Sequence, residues 1–310
     1  MLYKDIMKDF SAACRTLEFY KITEMLASMC ATSGGASLCR SLQPSSDIDE
    51  VRIRQTQTTD AKSMTASAGS PSFGGVADIT ACADRAGKGA SLSARELIEV
   101  GDLLNVTARL CSYADGKSAG SLEELFSRLV PNKNVENRIK RAILSEDTIA
   151  DDASVRLAEI RRSIRNANSR IRDILQKYIT DNSYSKILQD NIVTMRNGRF
   201  VIPVKSEHKN EIKGLVHDTS SSGATLFIEP LSVVEQNNAL RELESAQAKE
   251  IERILAELSA LVGGISTTLI YNYLTITELA FIFAKAELSW KMKAVEPFLS
   301  ENGRTELSGA

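Results

Sequence analysis

From Asp152 to Ile179 the chain has no Gly and no Pro, and Leu157, Ile160, Ile164, Ala167, Ile171, Ile174 and Tyr178 recur on alternating steps of three and four. That is a heptad, the spacing of a helix with a narrow apolar stripe that packs along one neighbour. A helix over 137–179 would run on the order of 60 Å at about 1.5 Å per residue, longer than a compact domain of this size is wide, and is predicted to project. A second narrow stripe, Leu240, Leu243, Ile251, Ile254, Leu258 and Leu261, predicts a helix returning antiparallel to the first. Ser232 with Glu235 would cap it, Pro230 would precede it, and Gly263-Gly264 would break or kink it. A final helix, Leu269 to Met292, is apolar over a broad face (Ile276, Leu279, Ala280, Phe283, Ala286, Trp290) and is predicted to be buried.

Between the two narrow-striped helices lies the one β-like stretch. Ile192 to Met195 and Phe200 to Val204 are β-rich runs flanking Asn197-Gly198, and Asn-Gly is the strongest short hairpin signal because both residues tolerate the positive φ of a type I′ turn. Pro203 cannot donate to a ladder and marks an edge or a bulge. A second pair, Gly214 to His217 and Ala224 to Ile228, is joined by a turn at Ser220 to Gly223. Two hairpins predict an antiparallel sheet of four strands.

The first third predicts short helices joined by turns. Ile22, Met25, Leu26 and Met29 form a stripe that Ser33-Gly34-Gly35 would end, Asp47 with Glu50 marks a helix start, and Ser93 with Glu96 a capping box. A loop over 69–75 separates those two helices, and Ser121 with Glu124 opens another short helix that Pro131 closes. The predicted fold is mainly α with a small β insertion. Its segments are 1–134 (helical core), 135–185 (long helix), 186–231 (sheet), 232–264 (returning helix) and 265–310 (return to the core).

Composition fits this: 43% hydrophobic, 25% charged, only 5% aromatic, with 6 Pro among 310 residues. The net charge of −2 excludes a polycation, so an anionic partner would have to meet a local patch. The five cysteines, Cys14, Cys30, Cys39, Cys82 and Cys111, include no CxxC pair and are expected as buried thiols in a reducing cytosol. The first ten residues mix Lys and Asp among apolar ones, and Lys285 interrupts the most apolar run, so no membrane span is expected and the chain is predicted to be cytoplasmic.

Few motifs carry chemistry. Gly116-Lys117-Ser118 resembles the end of a phosphate loop, but Cys111 stands where that loop needs Gly and a helix precedes it. His208 and His217 have no second His or Cys at ligand spacing, and Asp218 should face away from His217 on a strand. No nucleophile elbow, metalloprotease helix or carboxylate pair is present, so no catalytic, cofactor or metal residue is predicted. Ser220 to Gly223 could cradle a phosphate or simply be a polar hairpin tip.

Charge says more. Arg156 to Lys177 holds seven basic residues against two acidic, Lys186 to His217 six against three, and Ser232 to Val262 three against six. The two long helices could pair through these charges. That pairing leaves the positive sheet unexplained, and a basic tip suits a phosphate backbone.

The run RNGRFVIPVKSEHKNEIKGLVHDTSSSGATLFIEPLSVVEQNNALRELE, Arg196 to Glu244, resembles the signature of the bacterial MutS-two family. Weaker likenesses are Thr16-Leu17-Glu18-Phe19, Asp152-Ala153-Ser154 and Glu278-Leu279-Ala280. The resemblance implies a core, a lever and a clamp in the order read above. It also implies an ATPase, with ATP and Mg, and a small nuclease domain outside these residues, through which homodimers act on nucleic acid. The implied roles are suppression of recombination on branched DNA, or rescue of collided ribosomes through rRNA. Gly223, Phe227, Ile228 and Pro230 read as fold-determining. Arg196, Asn197, Arg199, Lys205, Lys209, Lys213, Ser221 and Ser222 are the candidates for nucleic-acid contact. The alternative is a protein-interaction and dimerisation scaffold, acting through acidic residues such as Glu242, Glu250 and Glu257.

Overall fold

The computed structural model describes residues 10–300 and Glu306, so the reading of the first nine residues lies outside the described ones. The chain folds as two compact units, one from Met1–Thr148 with Ala256–Ala310 and one from Ile149–Leu255. Both are mainly helical or helix-flanked, and the β structure is small and antiparallel.

The first unit comprises α1 (Phe19–Met29), α2 (Ser33–Arg40), α3 (Ile48–Ala68), α4 (Thr80–Gly87), α5 (Ala94–Ala114), α6 (Glu123–Ser127), α7 (Lys133–Ala142) and α10 (Ser266–Lys291). The predicted starts of α3 and α5 hold. Asp47 accepts from the N–H groups of Asp49 and Glu50, and Ser93 and Glu96 form a reciprocal capping box. α10 is the axis on which α1 to α6 pack, with Leu269, Ile276, Leu279 and Ala280 buried. Phe283 gathers Phe73, Tyr113 and Phe126 at centroid distances of 5.8, 6.2 and 6.4 Å. α10 is also long and apolar enough to cross a membrane by length and composition, a match the charge at Lys285 had argued against, and 61% of its apolar window is buried inside this unit.

Several details differ from expectation. Trp290 is 49% exposed, because the buried face of α10 ends at Leu288. In α1 the buried positions are Thr23, Leu26 and Ala27, while Ile22 and Met25 are exposed. Gly34 and Gly35 do not end a helix but lie inside α2, whose cap is Thr32. Their value is close approach: a Cβ on Gly34 would stand 2.7 Å from the Tyr273 hydroxyl, and one on Gly35 2.4 Å from Cys30 Sγ. The short α4 was not foreseen.

The single long helix over 137–179 does not form. Helix α7 stops at Ala142, the backbone passes through the short strands β1 (Ile143–Ser145) and β2 (Thr148–Ile149) and a 3-10 turn, and Ser154 caps α8 (Val155–Thr180) by accepting from Leu157 N–H at 3.0 Å. At 26 residues, α8 is about 39 Å long.

The second unit packs α8 and the first part of α9 (Leu231–Gly263) against a sheet of β3 (Thr194–Arg196), β4 (Arg199–Lys205), β5 (Gly214–Thr219) and β6 (Thr225–Pro230). The heptad stripe supplies the helical side of that core, with Ile171 fully buried and Ile164, Ala167, Ile174 and Tyr178 partly so. Leu175, outside the heptad, is fully buried as well, because an α-helix drifts about 20° per heptad relative to a 3.5-residue repeat. Phe200, Ile202, Val204 and Ile228 face it from the sheet. α9 begins at Leu231, one residue before the predicted Ser232 cap, and the Ser232 hydroxyl meets Tyr178 Oη at 3.1 Å instead.

The sheet order is β3-β4-β6-β5. The first hairpin closes on Asn197 and Gly198, at φ 50° and 71°. Pro203 sits on a central strand rather than at an edge, yet costs no ladder bond. Its carbonyl accepts from Gln189 N–H at 3.0 Å, away from β6, so its nitrogen also faces the side where pairing with β3 has ended at Val201.

Candidate nucleic-acid interface

Glu229 ends the apolar run of β6, and its carboxylate is completely buried. A buried carboxylate is tolerable only when charge and hydrogen bonds compensate it. Arg199 at the start of β4 donates through Nη1 to both oxygens at 2.8 and 3.1 Å, and Asn237 of α9 donates through Nδ2 at 2.7 Å. His217 Nε2 meets the second oxygen. Asn237 also pairs with the Phe200 backbone, accepting from its N–H at 3.2 Å and donating to its carbonyl at 3.1 Å. Arg199 Nη2 reaches Asn238 Oδ1 at 2.6 Å. Two strands and a helix are thus tied to one carboxylate.

His217 reaches it because β5 carries a bulge. Val216 pairs with Ile228 and Asp218 with Phe227, leaving His217 as the extra residue. A bulge breaks the strict alternation of side chains, so both neighbours find partners: Asp218 pairs with Arg196 Nε at 3.3 Å while His217 turns to Glu229.

The eight predicted contact residues do not form one patch. Lys205 pairs with Thr225, and the Ser206 N–H donates to the Ala224 carbonyl at 3.0 Å, so Lys205, Lys209, Ser221 and Ser222 gather at one end of the sheet. Lys205 Nζ donates to the Lys186 carbonyl, adding a further lysine to that end. Lys213 lies at the opposite end, where its carbonyl accepts from Leu231 N–H. The Arg196 guanidinium lies 4.0 Å from the Phe227 ring centroid, and Asn197 Nδ2 donates to the His217 carbonyl at 3.1 Å, so these two cross the sheet. Arg199 is the inward one, 15% exposed and bonded to Glu229 and Asn238.

No family model matches the chain. Among curated proteins it is 44% identical over 292 residues to the endonuclease MutS2 of Acetivibrio thermocellus, covering 93% of this chain and 37% of that protein. The endonuclease MutS2 proteins of Lachnoclostridium phytofermentans and Clostridioides difficile are each 42% identical, over 294 and 293 residues. Over nearly its whole length the chain is similar to proteins named endonuclease MutS2. It spans little more than a third of the length of these relatives.

The basic face of α8 in this MutS2-like chain is only partly neutralised. Arg161 and Arg165 pair with Asp151 just ahead of the helix, Arg156 lies 3.7 Å from Glu250 of α9, and Arg172 lies 5.8 Å from the Phe200 ring centroid. Arg162, Arg170 and Lys177, spaced along one side of α8, have no carboxylate partner among the described residues, so charge pairing between the two long helices is confined to one contact. Glu250 is not a surface residue. It is 3% exposed and bonded to Ser154 and Arg253, whose hydrogen bonds hold its carboxyl down to about 2. Sequence reading missed Glu229, Asn237 and the role of His217. The available signal was a Glu directly after the apolar run Leu226 to Ile228, followed eight residues on by Asn on the next helix.

Proposed function

We propose that this chain is the nucleic-acid-gripping part of a MutS2-type protein, with the second unit as lever and clamp. The observation that carries this is the gathering of Lys205, Lys209, Ser221 and Ser222 at one end of the sheet. Lysines with no carboxylate partner among the described residues, beside a turn of small residues whose backbone N–H groups can approach an anion, suit phosphate oxygens. Arg162, Arg170 and Lys177 would extend the contact along α8. Arg196 and Asn197 would act by holding the hairpin in place, and Arg199 by holding the sheet together. In this reading the parent is a homodimeric, ATP-hydrolysing endonuclease acting in the cytoplasm on branched DNA or on rRNA of stalled ribosomes. ATP and Mg would bind outside these residues. Gly116-Lys117-Ser118 does not fit a nucleotide, since it follows helix α5 rather than a strand and Lys117 lies 4.2 Å from the Tyr113 ring centroid.

Salt titration of binding to a four-way DNA junction and to an rRNA fragment tests this. Each lost duplex phosphate contact lowers the slope of log K against log salt by about 0.9. Lys205→Ala with Lys209→Ala should therefore reduce it by about 1.8, and Lys213→Ala, at the other end, should leave it unchanged. An unchanged slope in the double variant refutes the contact assignment. A second reading, a protein-binding scaffold, is favoured by edge strand β5, where Leu215 and Val216 are 48% and 41% exposed.

A further inference from the structure

The first unit holds a cavity of about 360 Å³ between α3, α10 and the segments 42–45 and 295–297. Its size falls within the range of small-molecule sites. Phe19, Leu42 and Val51 give it apolar walls, and Arg54, Lys62 and Lys285 give it three cations against a single lining carboxylate, Glu296.

The three cations are not equivalent. Arg54 is ion-paired with Glu50 at 2.6 Å. Lys62 donates to the Ala294 carbonyl at 2.9 Å and lies 5.0 Å from the Trp290 ring centroid. Lys285 has neither an ion pair nor a hydrogen bond among the described residues; it lies 4.7 Å from the Phe281 ring centroid, and Cys39 and Glu278 are near enough to favour its charge. It is half-buried on α10, where it lines the cavity wall. Burial, and then the charge of Arg54, hold its ammonium down to about 8. A desolvated cation in a cavity wall is stabilised by an anion brought to it, and the apolar walls favour a ligand that carries a hydrocarbon body behind that anion.

We propose that this cavity binds a small amphiphilic anion, an organic acid or a phosphate monoester, with its anionic head on Lys285 and its apolar body against Phe19, Leu42 and Val51. Gln43, Gln55 and Thr58 also line the site and would orient the head.

The test uses the 310-residue chain with 1-anilinonaphthalene-8-sulfonate as an anionic probe and N-phenyl-1-naphthylamine as its neutral counterpart. The anionic probe should bind one saturable site, and Lys285→Met should weaken it at least tenfold while leaving the neutral probe unchanged. Displacement by hexanoate or by hexyl phosphate then tells which head the site prefers. Val51→Phe, which narrows the cavity without touching the charge, should weaken both probes and provides the readout if Lys285→Met does not fold. Equal affinity of the anionic probe for wild type and Lys285→Met, or for wild type and Val51→Phe, overturns the proposal, as does displacement by neither competitor.

Discussion

Replacing Glu229 with Ala should unfold the sheet locally, and its cost can be worked from the geometry. The carboxylate is fully buried and accepts two bonds from Arg199, one from Asn237 and one contact from His217. Hydrogen bonds to charged groups contribute about 1.5–3 kcal/mol each in net terms, but they share one acceptor and do not add. The larger effect is the guanidinium left behind: breaking a buried ion pair by removing one partner costs about 3–5 kcal/mol. Because Arg199 keeps 15% exposure, water can reach it after rearrangement, which puts the expected loss at the lower end, about 3 kcal/mol. Glu229→Gln keeps the shape and an acceptor but loses the charge, and should cost less. Arg199→Met combined with Glu229→Leu removes both charges and should recover much of the loss. Hydrogen exchange by mass spectrometry reads this out in peptides covering β4 and β6, where 3 kcal/mol corresponds to roughly a hundredfold loss of protection. A loss under about 1 kcal/mol for Glu229→Ala, or a coupling near zero in the Arg199–Glu229 double-mutant cycle, would refute the reasoning.

Two further outcomes follow from other contacts. Gly263→Ala places a Cβ 2.4 Å from the Ala86 carbonyl oxygen, backbone against backbone, and should cost about 1–3 kcal/mol in urea unfolding followed by Trp290 fluorescence; an unchanged or raised midpoint would mean the helices separate freely there. Stability should also fall in acid. Burial pushes the Glu136 carboxyl up, but Lys140, Lys133 and Asn105 together outweigh it and hold it down to about 2, while Arg253 and Ser154 do the same for Glu250. Both folded values lie below the ordinary 4.5, so this stabilisation is full above about pH 4.5 and is lost as pH falls towards 2. Thermal melts between pH 6 and 2.5 should show the midpoint dropping in that window, and Glu136→Gln should flatten the drop.

Much of the fold was legible because it is written in local terms. The Asn197-Gly198 turn needs two positive φ values, and the Asp47 and Ser93 caps satisfy N–H groups within three residues, so neighbours alone specify them. The α8 stripe and the bounds of α9 and α10 follow from periodicity in the same way. Misreadings arose where a distant partner decides. Gly34 and Gly35 looked like a helix end, yet Tyr273 and Cys30 require their missing side chains. Pro203 looked like an edge, yet β3 has simply ended before it.

The candidate interface divides along the same line. That basic residues concentrate between Arg156 and Lys213 is plain from the order of amino acids, since charge is a property of composition. Which of those charges remain available was decided only by the tertiary structure. Folding a carboxylate from β6 under the sheet draws Arg199 inward, and the bulge at His217 turns that side chain to the same carboxylate. Antiparallel pairing sends Lys213 to one end and Lys205 to the other. A buried carboxylate must find its counter-charges wherever the chain brings them, and no spacing along the sequence announces which ones those will be.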